Sequence, residues 1–589
     1  MPNRFTLNLL PQPRSLTILR GTFTLPKRNP MSAIRLVLTT GIREHPESYT
    51  LTISKTGIDI GFFDDGGFRA VKATLRQLLR EHGRKLPCLK IRDWPDFARR
   101  GVMLDISRGR VPKLATLLDL AEKLSDFKIN ELQLYTEHTF AYKKHKRIWQ
   151  SWGALTAKEI QIFDHRCREL GIDLVPNQNS FGHLRYFLAD ARLKKLGELS
   201  EPFLAETKDF LRRPTTLAPN HPGTLPFLRS LYDELLPNFS SKCFNIGGDE
   251  TWDLGKGRSK ILCAAKGKGR VYLDFLKQLH REVLARDKKM MFWGDIILKY
   301  PALIRELPKD VIALNWGYEA NHQFAKEAAQ FALAKIPFYV CPGTSTWQTL
   351  IGKHDNALAN LRAAAKAGKK FGALGFLNSD WGDGGHPQPL AVSWPMFAAG
   401  AALAWNANDA LDENNLLAVL SRDVFEDPSG KVAAAGFKLG FAHQKLGVTA
   451  VNETPLGTVI AAPKPAEREL FCRNGLKWFA KIPAKKILAT LKEIQQQRDV
   501  LQRSAVRIDE LGLAARMAEQ SCRFMLWQQA VAAENILEAK RLAQQGIREL
   551  QKLEKDFNAY WPLRNKATPK HCSPFLRWRM EDYRRGYVA

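Results

Sequence analysis

Eight short apolar runs, each followed by a stretch of helical periodicity, dominate the chain from residue 101 to residue 377. Such runs are typical of buried strands, and the stretches between them place apolar residues on one face of a helix. The runs lie at residues 101–106, 130–135, 172–177, 243–246, 290–293, 311–315, 338–341 and 373–377. Eight strands alternating with helices over roughly 300 residues predict an α/β fold, a (β/α)8 TIM barrel.

A doubly wound open sheet would show a similar alternation of strands and helices. That fold holds its ligand at a glycine-rich turn of the form G-x-G-x-x-G after a strand. No such turn follows any of the eight runs. The barrel is therefore the prediction that we carry forward.

The sequence on either side of the barrel does not show this alternation of strands and helices. Residues 1–95 combine strand-like patches at 49–53 and 57–60 with a helical stretch at 68–81, which predicts an N-terminal α+β domain. Pro95 then biases the residue before it away from helix, so a boundary is expected there. The barrel is assigned residues 96–425.

Residues 426–589 predict a C-terminal α-helical domain, with a proline-containing loop followed by helices from about Ala466 to Tyr560. Its apolar stripes are expected to be core packing. A partner or dimer surface is the alternative, although no heptad pattern is sustained. Oligomeric state is not predicted.

The composition bears on partners and compartment. Lys and Arg outnumber Asp and Glu by 89 to 60, giving a net charge of +29, but no block of five or six like charges occurs. A generally basic surface is expected and no nucleic-acid partner. Neither a signal peptide nor a membrane span is evident, which predicts a cytoplasmic protein, with export as the alternative. The eight cysteines contain no CxxC pair, so no metal site or cofactor is expected.

The chemistry of a barrel lies at the C-terminal ends of its strands. The residues that follow the runs are Asp105, Arg108, Tyr135, Glu137, His138, Asn177, His183, Asp249, Glu250, Trp293, Asp295, Trp316, Tyr339, Asp380, Trp381 and Asp383. Aromatic faces pack on sugar rings, and carboxylates hold hydroxyl groups and perform acid–base chemistry. The set therefore predicts a carbohydrate substrate.

The fourth run ends in two glycines and two adjacent carboxylates, Asp249 and Glu250. Glycines allow a sharp turn where a side chain would clash. Neighbouring carboxylates divide acid and base roles when their environments separate their pKa values. A solvated turn with Asp249 as a helix cap is the alternative reading of these residues.

Two motifs resemble those of family 20 glycoside hydrolases, the β-N-acetylhexosaminidases. RGVMLDISR at residues 100–108 looks like the first barrel strand of that family, and IGGDE at residues 246–250 looks like its catalytic fourth strand. The resemblance covers the N-terminal module and the barrel, and the C-terminal helices lie outside it. It implies an exo-acting, retaining hydrolase in which the 2-acetamido group of the substrate is the nucleophile, an exception to the two-carboxylate scheme.

The resemblance also implies roles for individual residues. Glu250 would be the general acid and then the base, and Asp249 would orient the acetamido group. The other implied substrate-binding residues are Arg100 at the C3 and C4 hydroxyls, Tyr339 at the acetamido oxygen, Trp293, Trp316 and Trp381 as pocket walls, His183 with Glu137 beside the acid, and Asp383 two residues after Trp381.

The chain departs from the family pattern at three places. Cys341 stands where an aspartate is usual, Asp383 stands where a glutamate is usual, and Thr136-Glu137-His138 replaces the usual pair of aspartates after the second strand. These changes bear on the outer hydroxyls and the leaving group, so the preferred sugar is not predicted. A non-catalytic protein that binds glycans or an acidic polymer remains the second hypothesis, because folds are reused across functions.

Overall fold

The computed structural model describes residues 7–37, 45–201, 203–204, 211–212, 214–461, 479, 481–503 and 509–585. Helices account for much of this part of the chain, and none of them combines the length and apolarity that crossing a bilayer requires. The predicted helix start at Ala466 lies outside the described residues.

The N-terminal part forms a five-stranded sheet covered by one helix. Its strands are Ser15–Thr24, Ile34–Leu36, Tyr49–Ser54, Gly57–Phe62 and Lys85–Asp93, in the spatial order first, fifth, third, fourth, second. The helix Asp65–His82 begins at Asp64, whose side chain accepts from the Gly67 amide, as in an N-cap. Strands and helix enclose a small apolar core of their own.

The barrel contains eight parallel strands in the order in which they occur in the chain. They are Arg99–Asp105, Glu131–Tyr135, Asp173–Val175, Cys243–Asn245, Lys289–Trp293, Ile312–Trp316, Phe338–Cys341 and Gly375–Asp380. The eighth strand pairs with the first, and a parallel bridge from Asn177 to Asn245 joins the third to the fourth. The sheet therefore closes, and the predicted (β/α)8 barrel is confirmed.

Helices surround the barrel and follow its strands. In this part of the chain they span Leu114–Asp126, Lys146–Trp149, Ala157–Leu170, Arg185–Leu188, Thr224–Leu235, Lys260–Lys266, Lys268–Leu284, Asp295–Leu298, Pro301–Ile304, Phe324–Leu333, His354–Phe371 and Trp394–Trp405. A two-stranded ribbon, Phe203–Leu204 with Leu211–Arg212, lies between the third and fourth strands. The helix Trp394–Trp405 is buried on every side, which accounts for its uninterrupted apolar sequence.

The C-terminal helices pack against the barrel in one continuous apolar core. They span Glu413–Asp423, Lys431–Leu439, Pro455–Ala461, Ala484–Gln502, Asp509–Ala532, Ile536–Arg564 and Pro574–Arg585. The stripes of apolar residues expected here, such as Ile487 and Ile494, are buried. Their role is therefore core packing, since buried apolar area is what stabilises such helices.

The C-terminal chain returns to the end of the barrel where the strands terminate. The Lys113 amide donates to the Arg564 carbonyl, and the Lys566 amide donates to the Val111 carbonyl. Farther along, His571 bonds the Ser151 carbonyl through Nε2 at 2.8 Å. Residues 564–571 therefore complete the rim formed by the loops after the first and second strands.

Candidate active site

The turn after the fourth strand has a backbone that favours glycine. Gly247 has φ +71° and Gly248 has φ +93°, both in the left-handed region. A Cβ at Gly247 would lie 2.2 Å from Asn179 Oδ1, so no larger residue fits without displacing that side chain. Glu250 also has a positive φ, +46°, which is a strained conformation for a residue with a side chain. The turn holds the two carboxylates at the mouth of the barrel.

Asp249 and Glu250 share His183 as a partner. His183 Nε2 lies 3.3 Å from Asp249 Oδ2 and 3.4 Å from Glu250 Oε2. Burial opposes the charge of the imidazole, but the facing carboxylates outweigh it and raise the pKa of His183 well above its usual value. Asp249 is 5% exposed, whereas a third of the Glu250 side chain is open to solvent. The neighbouring acids therefore have different environments.

Arg108 joins the other side of the site. Its guanidinium contacts Asp105 Oδ2 at 3.0 Å and Glu137 Oε1 at 2.8 Å and lies over the rings of Tyr135 and Trp381. Glu137 Oε1 also lies 3.7 Å from His183 Nδ1. A chain of alternating charges thus runs from Arg108 to the turn that holds Asp249 and Glu250.

Asp295 is a third carboxylate beside Asp249 and Glu250. Its Oδ2 accepts from the Glu250 amide at 3.4 Å, and its Oδ1 is buried without a partner. Burial first, and then the charges of Asp249 and Glu250, raise the pKa of Asp295 to about 7. The raised pKa keeps this group protonated, and so uncharged, in mildly acidic solution.

Replacing Asp295 by Asn should stabilise the fold at pH 8 and have little effect at pH 4.5. An unfolded aspartate has a pKa of about 3.9, so the folded state binds the extra proton between that value and about 7. This bound proton adds to the free energy of unfolding. The added free energy has its full value below pH 4 and is lost as pH rises through 7. Thermal unfolding at both pH values measures the effect, with exposed Glu534→Gln as the control. An equal shift at the two pH values would contradict this titration.

Aromatic rings enclose the space in front of the carboxylates. The Trp381 ring lies 5.8 Å from that of Trp293 and 4.6 Å from that of Tyr135, and its Nε1 donates to Tyr318 Oη at 2.7 Å. Tyr318 stacks on Trp316 at 5.2 Å. The structure thus brings the three predicted tryptophans together.

The indole nitrogens of Trp293 and Trp316 and Asp249 Oδ1 are buried without hydrogen-bond partners. Buried polar atoms are normally paired, so these are available to a bound molecule.

Asp383 closes the pocket from the loop after the eighth strand. It has φ +41°, and Gln348 Nε2 lies 3.5 Å from its Oδ2. Burial raises the pKa of Asp383 to about 6, against the opposing charge of Arg108. This carboxyl and Arg108 form the polar end of the pocket.

His183, Asp249 and Glu250 are also a group that could hold a cation, because their ligand atoms lie within 4.8 Å of one another. The two carboxylates favour a positive charge between them, which is either a proton on His183, whose pKa they raise, or a bound cation.

The comparison with known families decides what this barrel is. The family model described as "Glycosyl hydrolase family 20, catalytic domain" matches residues 97–367. The barrel is a glycosyl hydrolase family 20 catalytic domain. Its sequence is 25% identical to lacto-N-biosidase of Bifidobacterium bifidum over 286 residues, covering 46% of this chain and 24% of that one. It is 23% identical to hexosaminidase D of Bos taurus over 218 residues, covering 36% and 58% of the two chains.

Solved structures show the same fold. The chitobiase of Flavobacterium johnsoniae superposes with a TM-score of 0.57 at 20% identity, covering 92% of this chain and 96% of that one. The β-N-acetylhexosaminidase of Bacteroides fragilis superposes with a TM-score of 0.57 at 19% identity, covering 72% and 96%. The matches to the two curated relatives above span less than two thirds of their lengths.

The structure corrects the role predicted for Arg100 in this family 20 domain. Arg100 is the second residue of the first strand, at the end of the barrel opposite the turn that holds Asp249 and Glu250. It is buried, pairs with Glu47 at 2.6 Å, donates to the Lys128 carbonyl and lies over the Trp405 ring. A guanidinium held by these partners joins the N-terminal sheet to the barrel and does not reach a sugar.

Tyr339 is likewise placed away from the pocket. Its hydroxyl donates to Glu131 Oε2 at 2.9 Å and receives a hydrogen bond from Arg99 Nε at 3.3 Å. Both partners begin strands, so the hydroxyl points toward the lower layer of the barrel. The prediction that Tyr339 contacts the acetamido oxygen is therefore wrong for this structure.

Two residues of the pocket of the family 20 domain were not assigned substrate-binding roles from the sequence. Arg108 lies over the Trp381 ring, and the hydroxyl of Tyr318 accepts a hydrogen bond from Trp381 Nε1, so an arginine and a tyrosine other than Arg100 and Tyr339 face the pocket. The signal for Arg108 was its position just after the first strand. Tyr318 lies two residues after Trp316, at the end of the sixth strand, where the same rule applies.

Proposed function

We propose that this chain is an exo-acting, retaining β-N-acetylhexosaminidase that removes terminal β-linked N-acetylglucosamine or N-acetylgalactosamine by substrate-assisted catalysis. The observation that carries the proposal is the pair Asp249 and Glu250, adjacent in sequence but unequal in exposure, beside the tryptophan-walled pocket. The hexosaminidase names of several relatives support the same reaction class.

In the first step the acetamido oxygen of the substrate attacks the anomeric carbon as the glycosidic bond breaks. Glu250 gives its proton to the departing oxygen, so the leaving group departs as an alcohol. The acetamido nitrogen acquires positive charge in the resulting oxazolinium ring. Asp249 is positioned to stabilise that charge through its unpaired Oδ1.

In the second step a water molecule attacks the same carbon from the face that the leaving group vacated. Its proton passes to the Glu250 carboxylate, the ring opens, and the acetamido group is restored with net retention of configuration. The exposure of Glu250 suits both the departure of an alcohol and the entry of water. His183 lies against both carboxylates and holds them in place.

The pocket walls fit the acetamido group and one sugar ring. Indole faces pack on the methyl group and on the apolar face of a pyranose, and the unpaired indole nitrogens can donate to oxygen atoms. Arg108 and Asp383 form a polar end suited to ring hydroxyl groups. A pocket that ends in such groups supports cleavage of one terminal sugar.

The test is the release of nitrophenol from three nitrophenyl β-glycosides: the N-acetylglucosaminide, the N-acetylgalactosaminide and the glucoside. We expect turnover of one or both N-acetyl substrates. The glucoside should react at least about a hundredfold more slowly, because it lacks the internal nucleophile that proximity makes effective. Comparable rates on the glucoside would contradict substrate assistance, and no turnover of any substrate would favour the binding-protein hypothesis.

A further inference from the structure

Three side chains from two neighbouring loops converge on one point at the mouth of the barrel. His183 comes from the loop after the third strand, and Asp249 and Glu250 come from the turn after the fourth. Among the residues that the structure describes, they form the only group of three histidine, cysteine or carboxylate side chains whose ligand atoms all lie within 4.8 Å of one another. The two loops are in direct contact, since a Cβ at Gly182 would lie 2.4 Å from the Asp249 carbonyl oxygen. The three side chains are therefore already gathered by the fold.

The distances between their atoms match those around a tetrahedral ion. His183 Nε2 lies 3.3 Å from Asp249 Oδ2 and 3.4 Å from Glu250 Oε2. Zn²⁺ binds imidazole nitrogen and carboxylate oxygen at about 2.0–2.2 Å, with its ligands at the corners of a tetrahedron. Two corners of that tetrahedron are about 3.3–3.6 Å apart. Both separations from the imidazole nitrogen thus fit one bound ion.

The second nitrogen of the imidazole has the partner that metal-binding histidines usually have. His183 Nδ1 faces Glu137 Oε1 at 3.7 Å, and Arg108 holds that same oxygen at 2.8 Å. A carboxylate beside the outer nitrogen fixes the tautomer and the orientation of a metal-binding ring. Glu137 therefore favours the tautomer whose Nε2 lone pair faces Asp249 and Glu250.

The charge around the three atoms favours a cation. In the part of the chain that the structure describes, no lysine or arginine forms an ion pair with Asp249 or Glu250, and Asp249 Oδ1 is buried without a hydrogen-bond partner. Asp295 adds a third carboxyl group, next to the Glu250 amide. Buried carboxylates normally have a cation or several donors as partners. A divalent ion would supply the charge that these carboxylates lack.

The donor set indicates which kind of ion the site would take. One imidazole nitrogen and two carboxylate oxygens suit Zn²⁺, whereas Ca²⁺ takes six to eight oxygen ligands and Mg²⁺ prefers an octahedron of oxygens. A third of the Glu250 side chain is open to solvent. This opening gives the ion a path to the site and leaves room for a water molecule as its fourth ligand.

We propose that His183, Asp249 and Glu250 form a Zn²⁺ site, and that the bound ion inhibits hydrolysis. Zn²⁺ would occupy the Glu250 oxygen that has to carry a proton and would draw Asp249 away from the acetamido nitrogen. Its binding releases the proton of His183 to the solvent, because a metal ligand must be deprotonated. The binding part of the inference stands on these residues alone, and the inhibition part rests on the proposed function.

Calorimetric titration of Zn²⁺ into the whole chain, freed of metal by a chelator and held at pH 8, tests the site. We expect one ion per chain, bound through His183, and no binding of Mg²⁺ at the same concentrations. His183→Gln and Glu250→Gln each remove one ligand with little change in size. Each should raise the Kd at least about tenfold, the lower limit for losing even an outer partner of a metal ligand.

His280→Gln is the matched control. His280 is also buried, but it faces a single carboxylate, that of Asp310, at 3.0 Å. One histidine and one carboxylate are too few ligands for a stable zinc site. The control should therefore leave the Kd unchanged, and circular dichroism shows whether each variant is folded.

Inhibition is measured on the nitrophenyl N-acetylhexosaminide that the wild type hydrolyses. Zn²⁺ should inhibit with a constant equal to the calorimetric Kd, because one site is responsible for both effects. Mg²⁺ should not inhibit.

The outcomes separate this inference from the proposed function. Absence of Zn²⁺ binding, binding that survives both His183→Gln and Glu250→Gln, or an equal loss in His280→Gln would overturn the site. Binding at the site without inhibition would overturn the inhibitory role. A chain that binds Zn²⁺ through His183 and Glu250 but hydrolyses none of the glycosides would support the site and contradict the proposed function.

Discussion

Glu250→Gln should lower kcat/KM about 10²- to 10⁴-fold, the range expected for removing a general acid. Glutamine has nearly the shape of glutamate but cannot give a proton to the departing oxygen. The loss should be smaller for a nitrophenyl glycoside than for a disaccharide. Nitrophenolate is a good leaving group and needs little protonation, whereas the sugar oxygen of a disaccharide must be protonated to leave. Steady-state kinetics on the two substrates measure the difference. Equal losses on both would contradict the role of Glu250 as the acid.

Asp249→Asn is the matched comparison, since it changes the neighbouring residue in the same turn. Asp249 is proposed to act on the acetamido nitrogen, which is the same in both substrates. Its replacement should therefore lower activity on both by a similar factor, about 10²–10³ by analogy with lost charge stabilisation elsewhere. The contrast between the variants separates proton donation from a general distortion of the turn.

Asp380→Ala should destabilise the fold by about 3–5 kcal/mol, the range for breaking a buried ion pair from one side. Asp380 is fully buried, and its Oδ2 lies 2.6 Å from Arg110 Nη2. Its Oδ1 accepts from Thr344, Thr346 and Ser393, at distances of 2.7, 2.7 and 2.8 Å. The alanine variant would leave a buried guanidinium and three hydroxyl groups without their acceptor. Chemical unfolding followed by tryptophan fluorescence gives the measurement.

Two controls distinguish the stability lost in Asp380→Ala from the stability that replacing any other aspartate would cost. Asp59 pairs with Arg35 at the surface, so Asp59→Ala should cost no more than about 1 kcal/mol. Removing both buried partners, in Asp380→Ala with Arg110→Met, should cost less than removing Asp380 alone, because no unpaired charge is left. A double variant less stable than the single one would contradict this account.

The eight barrel strands were predictable because a buried parallel strand is a short apolar run and each is followed by an amphipathic helix. The rule that barrel chemistry follows strand ends also located Asp249, Glu250 and Trp381. Arg100 lies next to the start of the first strand, whereas Arg108 follows the end of that strand. A seven-residue strand is about 20 Å long, so the two arginines lie at opposite ends of the barrel.

Other parts of the site could not be predicted because they depend on contacts between distant segments. Tyr339 is buried, and only its partners Glu131 and Arg99 show that its hydroxyl points away from the pocket. The Asn452 amide, from beyond the barrel, donates to Glu319 in the loop after the sixth strand, and no local pattern marks that contact. The periodicity of apolar residues shows which face of a helix or strand is buried. It does not show which distant segment packs against that face.

The return of residues 564–571 to the barrel rim has a consequence for synthesis in the cell. The last barrel strand ends at Asp380, so the ribosome makes nearly all of the C-terminal helices before the segment that bonds Val111 and Lys113 exists. At ~5–20 residues per second, that delay is on the order of 10 to 40 seconds. During this interval the nascent barrel has a rim without its final segment beside Arg108.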